Sequence, residues 1–440
     1  MPDPSSSQAG QASRTLGLYD VVCIIVGIII GSAIYQTPRS IAGMLSSEWA
    51  ILSVWFLGGF LSFLGALCYA ELASAYPKEG GDYFFLTHAY GSWAGFLYAW
   101  GRLWVIHTGN IALMAYIAAN YATELLPFPN SQKIYALLAV LIFTFINCLG
   151  VRGGKWTQNL LTTTKVLGLF GVVAVGVLMK SPSPQPAPVG NITLGAFFMA
   201  LIFVQFTYGG WSDGAFVASE VKKPQKNILR SLMVGIVLVT VVYLSINLVI
   251  LRVLGTGGAA GAKAVVAEMV ARVVGPVGAK LVSLLVVISA LGSVNGMIFT
   301  GARIFHAFGT DHTLFRFMGG RHRQMGSPLT ALLGQGIISG ILVIYGGFES
   351  LIIYTTAAHW LFLMMVGVAL FVFRRREPQI ERPYRVHLYP LTPILYIASC
   401  GMFLYSSLMY ANSVAPYGAL IGFLIVLSGL PFYWLSRRMG

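Results

Sequence analysis

The chain has 440 residues, of which 57% are hydrophobic and only 10% are charged, and its mean hydropathy is +0.76. Soluble domains carry roughly 25% charged residues, so this composition excludes a water-soluble globular protein and predicts a chain whose main solvent is lipid. The formal net charge of +14 then indicates membrane topology and contact with anionic lipid, and we expect no nucleic-acid partner.

The N-terminal segment, 1–15, is rich in Ser, Gln and Gly and predicts a disordered tail. No cleavable signal peptide is visible, because the first apolar run begins near Leu18 and leads into many more. About 20 apolar residues cross a bilayer. Twelve runs approach or exceed that length, at about 18–44, 50–75, 86–124, 132–150, 156–180, 192–219, 229–254, 277–308, 328–346, 349–373, 391–411 and 415–436.

These runs predict an all-α integral membrane protein with twelve transmembrane helices. The third run is long, which indicates tilt or an interfacial lead-in, and 255–274 predicts a short surface helix. With the N-terminus inside, 19 of the 28 Lys and Arg residues fall on the cytoplasmic side and 7 on the outer side. Positive charge favours the cytoplasmic side, so we expect a plasma-membrane protein with both termini cytoplasmic.

Two of the runs contain glycines at mid-membrane depth. Run one reads GIIIGSAIY over 27–35, and run six reads FTYGGWSDG over 206–214. Such glycines either permit close helix packing or break the helix, and a break in the bilayer persists only beside protein, water or ligand. Interrupted helices in corresponding positions of two halves are typical of transporters with inverted repeats. We therefore expect repeats over 16–180 and 191–374, each of five helices, with two further helices in 390–436.

A broken helix has specific chemistry. The half-helix starting near Ser32 presents free N–H groups that suit a carboxylate. The half-helices ending near Ile29 and Phe206 present free carbonyls that suit an ammonium group. Both groups side by side predict a site for an α-amino acid.

Four segments carry a family resemblance. They are 27–35, ELASAYPKEGGDY over 71–83, YGGWSDGAFVASE over 208–220 followed by Lys223-Pro224, and GSVNG over 292–296 with Arg303. These segments resemble the amino acid–polyamine–organocation superfamily, and among its branches the L-type amino acid transporters and their bacterial relatives. The resemblance implies a LeuT-like fold with discontinuous helices 1 and 6.

The resemblance also implies roles for individual residues. Carboxylate contacts fall on Gly31, Ser32 and Ala33, and amino-group contacts on the carbonyls of Ile29, Phe206 and Gly209. Phe206 is the expected aromatic gate, Thr207, Ser212 and Asn295 are expected to shape the side-chain pocket, and Tyr243 to brace the break in helix one. Ala33 and Tyr35 depart from the usual glycine and phenylalanine. Either the turn is tighter, or Ala33 is already the first helical residue.

Lys165 lies inside run five, where a lysine costs roughly 2.5–3.5 kcal/mol on insertion scales. Snorkelling to the cytoplasmic face is the alternative to a functional role. The resemblance implies that its ammonium stands where sodium sits in sodium-coupled relatives and ties helices one, five and eight together. A permanent cation implies sodium independence, whereas a lysine of lowered pKa carries a coupling proton.

Other polar residues have two readings. Asp213 either attracts a cationic side chain or caps the inner half-helix, and capping is preferred. Arg102 and His107 either face the interior or pair with Asp213 or another acid, or they are structural, and the structural role is preferred. Glu71, Glu79, Asp82, Lys78 and Arg303 form either an inner gate or a solvated charge cluster.

Motifs for enzymes, nucleotides and metals are missing from the sequence, so we expect no enzyme activity, no cofactor and no metal site. Animal L-type transporters join a single-span partner through a cysteine after helix three. The loop from Leu125 to Lys133 has none, so no disulfide-linked heavy chain is expected.

The sequence thus predicts a sodium-independent, alternating-access exchanger of small neutral L-amino acids. The alternatives are a proton-coupled importer, a transporter of cationic amino acids or polyamines, and a membrane amino-acid sensor that binds without transport.

Overall fold

The computed structural model describes residues 14–178, 193–322, 326–345, 348–414 and 417–439, without the side chains of 348–355 and 413–414. Helices dominate these ranges, and Leu16 and Val221 form an isolated parallel bridge. The predicted disordered tail lies outside the described residues except for Arg14 and Thr15.

The described ranges contain seventeen α-helices. In chain order, they are α1 Leu18–Ile29, α2 Thr37–Met44, α3 Glu48–Ala75, α4 Asp82–Tyr90, α5 Ser92–Gly101, α6 His107–Leu125, α7 Ser131–Cys148, α8 Val151–Leu178, α9 Leu194–Thr207, α10 Pro224–Gly261, α11 Val265–Val274, α12 Pro276–Asp311, α13 Leu329–Tyr345, α14 Phe348–Arg376, α15 Leu391–Val414, α16 Gly418–Leu427 and α17 Gly429–Met439. Tighter 3₁₀ segments cover Ala33–Tyr35, Trp211–Glu220 and Thr313–Met318, and a π-helical turn covers Arg102–Ile106.

Nine stretches of the described chain are long and apolar enough to cross a bilayer, and α1 and α13 are shorter apolar helices. The difference from twelve predicted runs has a structural cause. The first run is interrupted at 30–32. The third is divided by Gly91, which has a φ of 98°, and by the π-helical turn. The expected lead-in to that run is the separate helix α4.

The interrupted first helix lies at the centre of the bundle. α1 packs against α8, α10, α12 and the 3₁₀ segment Trp211–Glu220. Seven consecutive residues of α1, 23–29, are buried, as expected of a helix that is apolar on all sides. The break that follows Ile29 therefore lies in the interior of the bundle.

The predicted surface helix is present as α11. Gly255, with a φ of 70°, kinks α10 shortly before its end. The Glu268 carboxylate then accepts hydrogen bonds from the backbone N–H groups of Lys263 and Ala264, at 2.6 and 3.2 Å, and so satisfies donors at the start of α11.

Candidate functional site

Helix one breaks where the glycine pattern predicted. α1 ends at Ile29, and Ala33 begins the 3₁₀ turn, so the second of the two expectations for Ala33 is the one observed. The Gly31 N–H donates to the Ile29 carbonyl at 2.8 Å, which pairs two groups that were expected to be free. Within the described residues, the N–H groups of Ser32 and Ala33 have no hydrogen-bond acceptor. Those two donors are therefore available to an anion.

Helix six breaks after Thr207. Its inner half resumes as the 3₁₀ segment Trp211–Glu220, with Gly210 as the preceding residue at a φ of 101°. A side chain is strained at that φ, and a Cβ on Gly210 would lie 2.5 Å from Cγ2 of Ile28. Gly210 thus permits both the turn and the close approach of helix six to helix one.

Tyr243 on α10 connects the two breaks. Its buried hydroxyl lies 3.1 Å from the Ile29 carbonyl oxygen and 3.2 Å from the Thr207 carbonyl oxygen, so it donates to the last turn of each interrupted helix. The brace expected for helix one therefore also holds helix six.

Replacing Tyr243 with Phe removes this hydroxyl and keeps the ring. The two buried carbonyls then lose the donor that they share, and the lost hydrogen bonding costs about 1–3 kcal/mol. We expect turnover in a reconstituted transport assay to fall roughly 5- to 100-fold. Tyr90→Phe is the matched control, because the Tyr90 hydroxyl donates to the Met365 carbonyl away from either break, at 2.7 Å. Equal effects of the two substitutions would contradict a special role for Tyr243.

Lys165 on α8 is fully buried, which excludes snorkelling. Its ammonium donates to three carbonyl oxygens, those of Gly27, Ile30 and Ser289, each at 2.8 Å. The three ammonium protons are therefore all used, and α1, α8 and α12 are tied together at the break. Gly292 makes this possible, because a Cβ there would lie 2.7 Å from the Lys165 nitrogen.

The two breaks open into one cavity of about 110 Å³, the inner chamber. Its lining comprises Ile28, Ile29, Gly31, Ala33, Arg102, His107, Asn110, Leu113, Met114, Phe206, Thr207, Gly209, Gly210, Asp213, Ser293, Met297, Thr356, His359 and Trp360. A second cavity of about 280 Å³, the vestibule, shares six of these residues and extends along the outer half of helix one to Ser40 and Tyr410. Phe206 lines both cavities and is 43% exposed.

Most residues expected at the site face one of the cavities. Ile29, Gly31, Phe206, Thr207 and Gly209 line the inner chamber. Ser32 lines the vestibule, and Ala33 lines both cavities.

Two expected pocket residues are placed elsewhere. Ser212 is buried but is not part of either lining. The Asn295 amide joins helices, because it donates to Gln158 at 2.8 Å and to the Gly154 carbonyl at 3.2 Å and accepts from Asn147 at 2.9 Å. Their predicted role in shaping the pocket is therefore not supported by their position.

Several lining residues were not anticipated, among them Met114, Ser293, His359 and Trp360. Ser293 lies inside the GSVNG segment, whose pattern offered a signal. Its hydroxyl is 3.0 Å from the Gly27 carbonyl and 3.2 Å from the Ile28 carbonyl. The others lie on α6 and α14, and no spacing in the sequence distinguishes them from residues of the hydrophobic core.

Asp213 does not cap the inner half of helix six, so that expectation was wrong. Gly210 is the capping residue and no side chain bonds to the first turn. The Asp213 carboxylate faces the chamber and accepts a hydrogen bond from Thr300 at 3.3 Å.

Ion pairs close the end of the bundle towards which the inner halves of helices one and six point. We call Glu79, Glu220, Arg303, His306 and Arg321 the basic-end network. Glu220 lies 3.0 Å from Arg303 and 3.2 Å from Arg321, and Glu79 lies 2.5 Å from Arg321 and 3.1 Å from His306. Arg303 follows Met297 of the chamber by six residues, about 9 Å along α12.

The network also shifts the pKa of Glu79, a loop acid outside the membrane-spanning helices. Burial raises the pKa of Glu79, in the loop between α3 and α4, but the hydrogen bond from His306 and the charge of Arg321 outweigh it and hold that pKa below its ordinary value. Glu79 therefore stays ionised at neutral pH. Of the other gate candidates, Glu71 pairs with Arg374 and Arg382, and Lys78 is exposed.

A family model described as amino acid permease matches residues 16–430. The chain belongs to the amino acid permease family. This permease is 30% identical to the human large neutral amino acids transporter small subunit 2, over 99% of this chain and 83% of the human protein.

Other relatives agree. The mouse b(0,+)-type amino acid transporter 1 is 31% identical over 96% of this chain and 88% of its own. The mouse Asc-type amino acid transporter 1 is 28% identical, over 98% of this chain and 82% of the mouse protein. This permease is therefore a multi-pass membrane protein of an amino acid transporter family, as the motifs predicted. The bacterial placement gains no support, since these relatives are animal proteins. The expectation that no heavy chain is attached is also unsupported, since the human relative is named a small subunit.

Proposed function

We propose that the permease moves small neutral L-amino acids by alternating access, without sodium, and by exchange. The observation that carries this proposal is the single chamber into which both helix breaks open. It continues into the vestibule in one direction. In the other direction, the buried ion pair of Glu220 and Arg303 lies about 9 Å beyond Met297 of the chamber wall. A site accessible from one side and closed on the other is what one state of an alternating-access cycle requires.

The substrate contacts use the backbone groups at the two breaks, although the Phe206 carbonyl, like that of Ile29, accepts a backbone hydrogen bond here, from the Gly209 N–H at 3.1 Å. The N–H groups of Ser32 and Ala33, with Gly31 beside them, hold the carboxylate at the start of the outer half-helix. The carbonyls of Ile29, Phe206 and Gly209 accept from the ammonium group. The Gly31 N–H releases the Ile29 carbonyl when substrate enters. Phe206 lies between chamber and vestibule and closes over the bound amino acid.

Lys165 supports sodium independence. Its ammonium occupies the space among three carbonyls with every proton donated, so no room is left there for a sodium ion. Proton-coupled import remains the alternative mode. Asp213 in the chamber is the observation that favours transport of cationic amino acids or polyamines, and the neighbouring Arg102 opposes it.

We infer twelve membrane crossings in a LeuT-like arrangement. The repeats span 16–180 and 191–374, and helices eleven and twelve lie within 390–436. Both termini are cytoplasmic and the protein lies in the plasma membrane, which places the basic-end network inside and the vestibule outside. The four cysteines are all buried, so none is offered for a disulfide to a partner chain.

The test is exchange in proteoliposomes. Uptake of labelled L-alanine is measured into vesicles that are empty or loaded with unlabelled L-alanine, in sodium-free buffer and without a pH gradient. We expect loaded vesicles to take up label at least about tenfold faster. Uptake that requires sodium or a proton gradient would contradict the exchange mode, and binding without counterflow would indicate a sensor.

A further inference from the structure

A group of exposed cations lies at the starts of α8 and α10. We call it the basic rim, and it consists of Arg152 in the first turn of α8, Lys222 and Lys223 directly before α10, and Lys226 and Arg230 in the first two turns of α10. Among the described residues, none of the five forms an ion pair with an acid.

The segment before α1 holds the two parts of the rim together. The Lys222 N–H donates to the Leu16 carbonyl at 2.8 Å. The ammonium group of Lys155, about one turn after Arg152, donates to the Thr15 carbonyl at 3.4 Å. The starts of α8 and α10 are therefore both attached to the two residues that precede the interrupted helix α1.

The acids beside the rim are already paired with other cations. Asp20 lies 3.1 Å from Lys155. Glu220 is buried and pairs with Arg303 and Arg321 in the basic-end network. The described protein thus leaves the positive charge of the rim uncompensated, and that charge attracts an anion from outside.

On α8, apolar side chains continue the rim along the outer surface. Trp156 and Leu160 follow Arg152 at intervals of four residues, and they are 67% and 68% exposed. Residues four apart share one face of a helix, so the cation is at the head of an apolar stripe.

The same arrangement recurs on α10. Val234, Val237 and Val241 follow Arg230 at intervals of three or four residues, and each is about half exposed. From Arg230 to Val241 the stripe rises about 16 Å, close to half of a hydrocarbon core about 30 Å thick. Each stripe therefore suits the acyl chains of a single leaflet.

The first turns of α1 form the floor between the two stripes. The hydroxyl of Tyr19 bonds to Thr163 of α8 at 2.5 Å, and a Cβ on Gly235 of α10 would lie 2.9 Å from Cγ2 of Ile25. Near their starts, α8 and α10 are therefore separated by α1. Tyr19 is 57% exposed, so neither neighbour covers this part of α1.

Further from the rim, α8 and α10 contact each other directly. A Cβ on Gly176 of α8 would overlap the side chain of Val249 on α10. The two helices thus bound a groove that is closed at one end by their contact and lined at the other by the basic rim.

We propose that a phospholipid with an anionic headgroup docks in this groove, with its phosphate on the basic rim and its acyl chains along the two apolar stripes. In the proposed topology the rim faces the cytoplasmic leaflet, whose negative surface attracts Lys and Arg. Trp156 and Tyr19 lie between the cations and the apolar stripes, at the interfacial depth where aromatic residues are enriched. The docked lipid contacts the start of α1 and steadies the segment that leads to the first break.

Lipid binding to the purified protein tests this proposal without any transported substrate. Affinities for dioleoylphosphatidylglycerol and dioleoylphosphatidylcholine are measured by titration in detergent and native mass spectrometry. We expect the anionic lipid to bind at least about 25-fold more tightly, since each cation near an anionic headgroup contributes about fivefold. Lys226→Gln together with Arg230→Gln is expected to weaken binding of the anionic lipid by about 25-fold and to leave binding of the zwitterionic lipid unaltered.

Arg437→Gln together with Arg438→Gln is the matched control. These two arginines are also exposed, but they lie at the end of α17, which packs against α5 and α16 and away from the groove. We expect this variant to bind the anionic lipid as the wild type does. Equal losses in the two double variants would overturn the docking site, in favour of diffuse attraction to every exposed cation.

Two further outcomes would also overturn the site. One is equal affinity of the wild type for the two lipids. The other is equally tight binding of glycerophosphoglycerol, the same headgroup without acyl chains, because the rim would then be a site for a soluble anion. Absence of amino acid exchange would overturn the proposed function alone, since lipid binding is measured independently of exchange.

Discussion

Lys165→Ala is expected to reduce amino acid exchange by about 100-fold or more. The substitution removes one donor from three buried carbonyls, and each unsatisfied group costs about 1–3 kcal/mol. Those carbonyls belong to Gly27 in the last turn of α1, to Ile30 at the start of the break, and to Ser289 on α12. The break then loses the cation that fixes its shape, and the N–H groups of Ser32 and Ala33 lose their position.

Lys155→Ala is the matched control. Lys155 lies on the same helix and pairs with Asp20 at 3.1 Å, but the pair is partly exposed and lies away from the chamber. Partly exposed pairs contribute about 1 kcal/mol or less, so exchange falls only a few-fold. Both variants are checked for monodisperse elution and thermal unfolding. Near wild-type exchange by Lys165→Ala would show that the Lys165 ammonium is not needed to hold the first break.

Glu220→Gln is expected to open the basic end and to lower stability by about 3–5 kcal/mol, the usual cost of leaving a buried charge without its partner. Glu220 and Arg303 are 1% and 2% exposed, and Arg321 shares the same carboxylate. Neutralising Glu220 leaves Arg303 with a hydrogen bond to the Phe299 carbonyl and a ring contact with Phe299. The unfolding temperature of the purified protein and the exchange rate are the measurements.

A double-mutant cycle isolates the pair. If Arg303 and Glu220 stabilise each other, Arg303→Met together with Glu220→Gln is less destabilising than the sum of the two single changes. Glu377→Gln is the control, because Glu377 lies at the same end but is 29% exposed. Additive effects, or an unaltered unfolding temperature for Glu220→Gln, would show that the network does not close this end.

Local features of the site could be predicted from the sequence. The glycines at 31 and 209–210 indicated both breaks, because backbone that leaves the helix in a bilayer needs a nearby partner. Lys165 was detectable because an intramembrane lysine is costly. Tyr243 and the cavity-facing residues of run one followed from the family resemblance.

Tertiary placement could not be predicted. Nothing in the sequence distinguishes Asn295, which joins three helices, from the chamber residues Ser293 and Met297, each two positions away. Arg102 and Asp213 are 111 positions apart, and their common chamber depends on the π-helical turn and on the rotation of the segment after Gly210. The division of run three into separate helices depends on Gly91, whose φ is set by packing.

The most direct test of the central claim is an electron cryomicroscopy structure of the permease with bound L-alanine. We expect density in the inner chamber, with the carboxylate at the N–H groups of Ser32 and Ala33 and the ammonium group at the carbonyls of Ile29, Phe206 and Gly209. Lys165 is expected to keep its three carbonyl partners. Density for alanine away from both breaks, or a carboxylate held by Arg102 instead of by helix one, would contradict it.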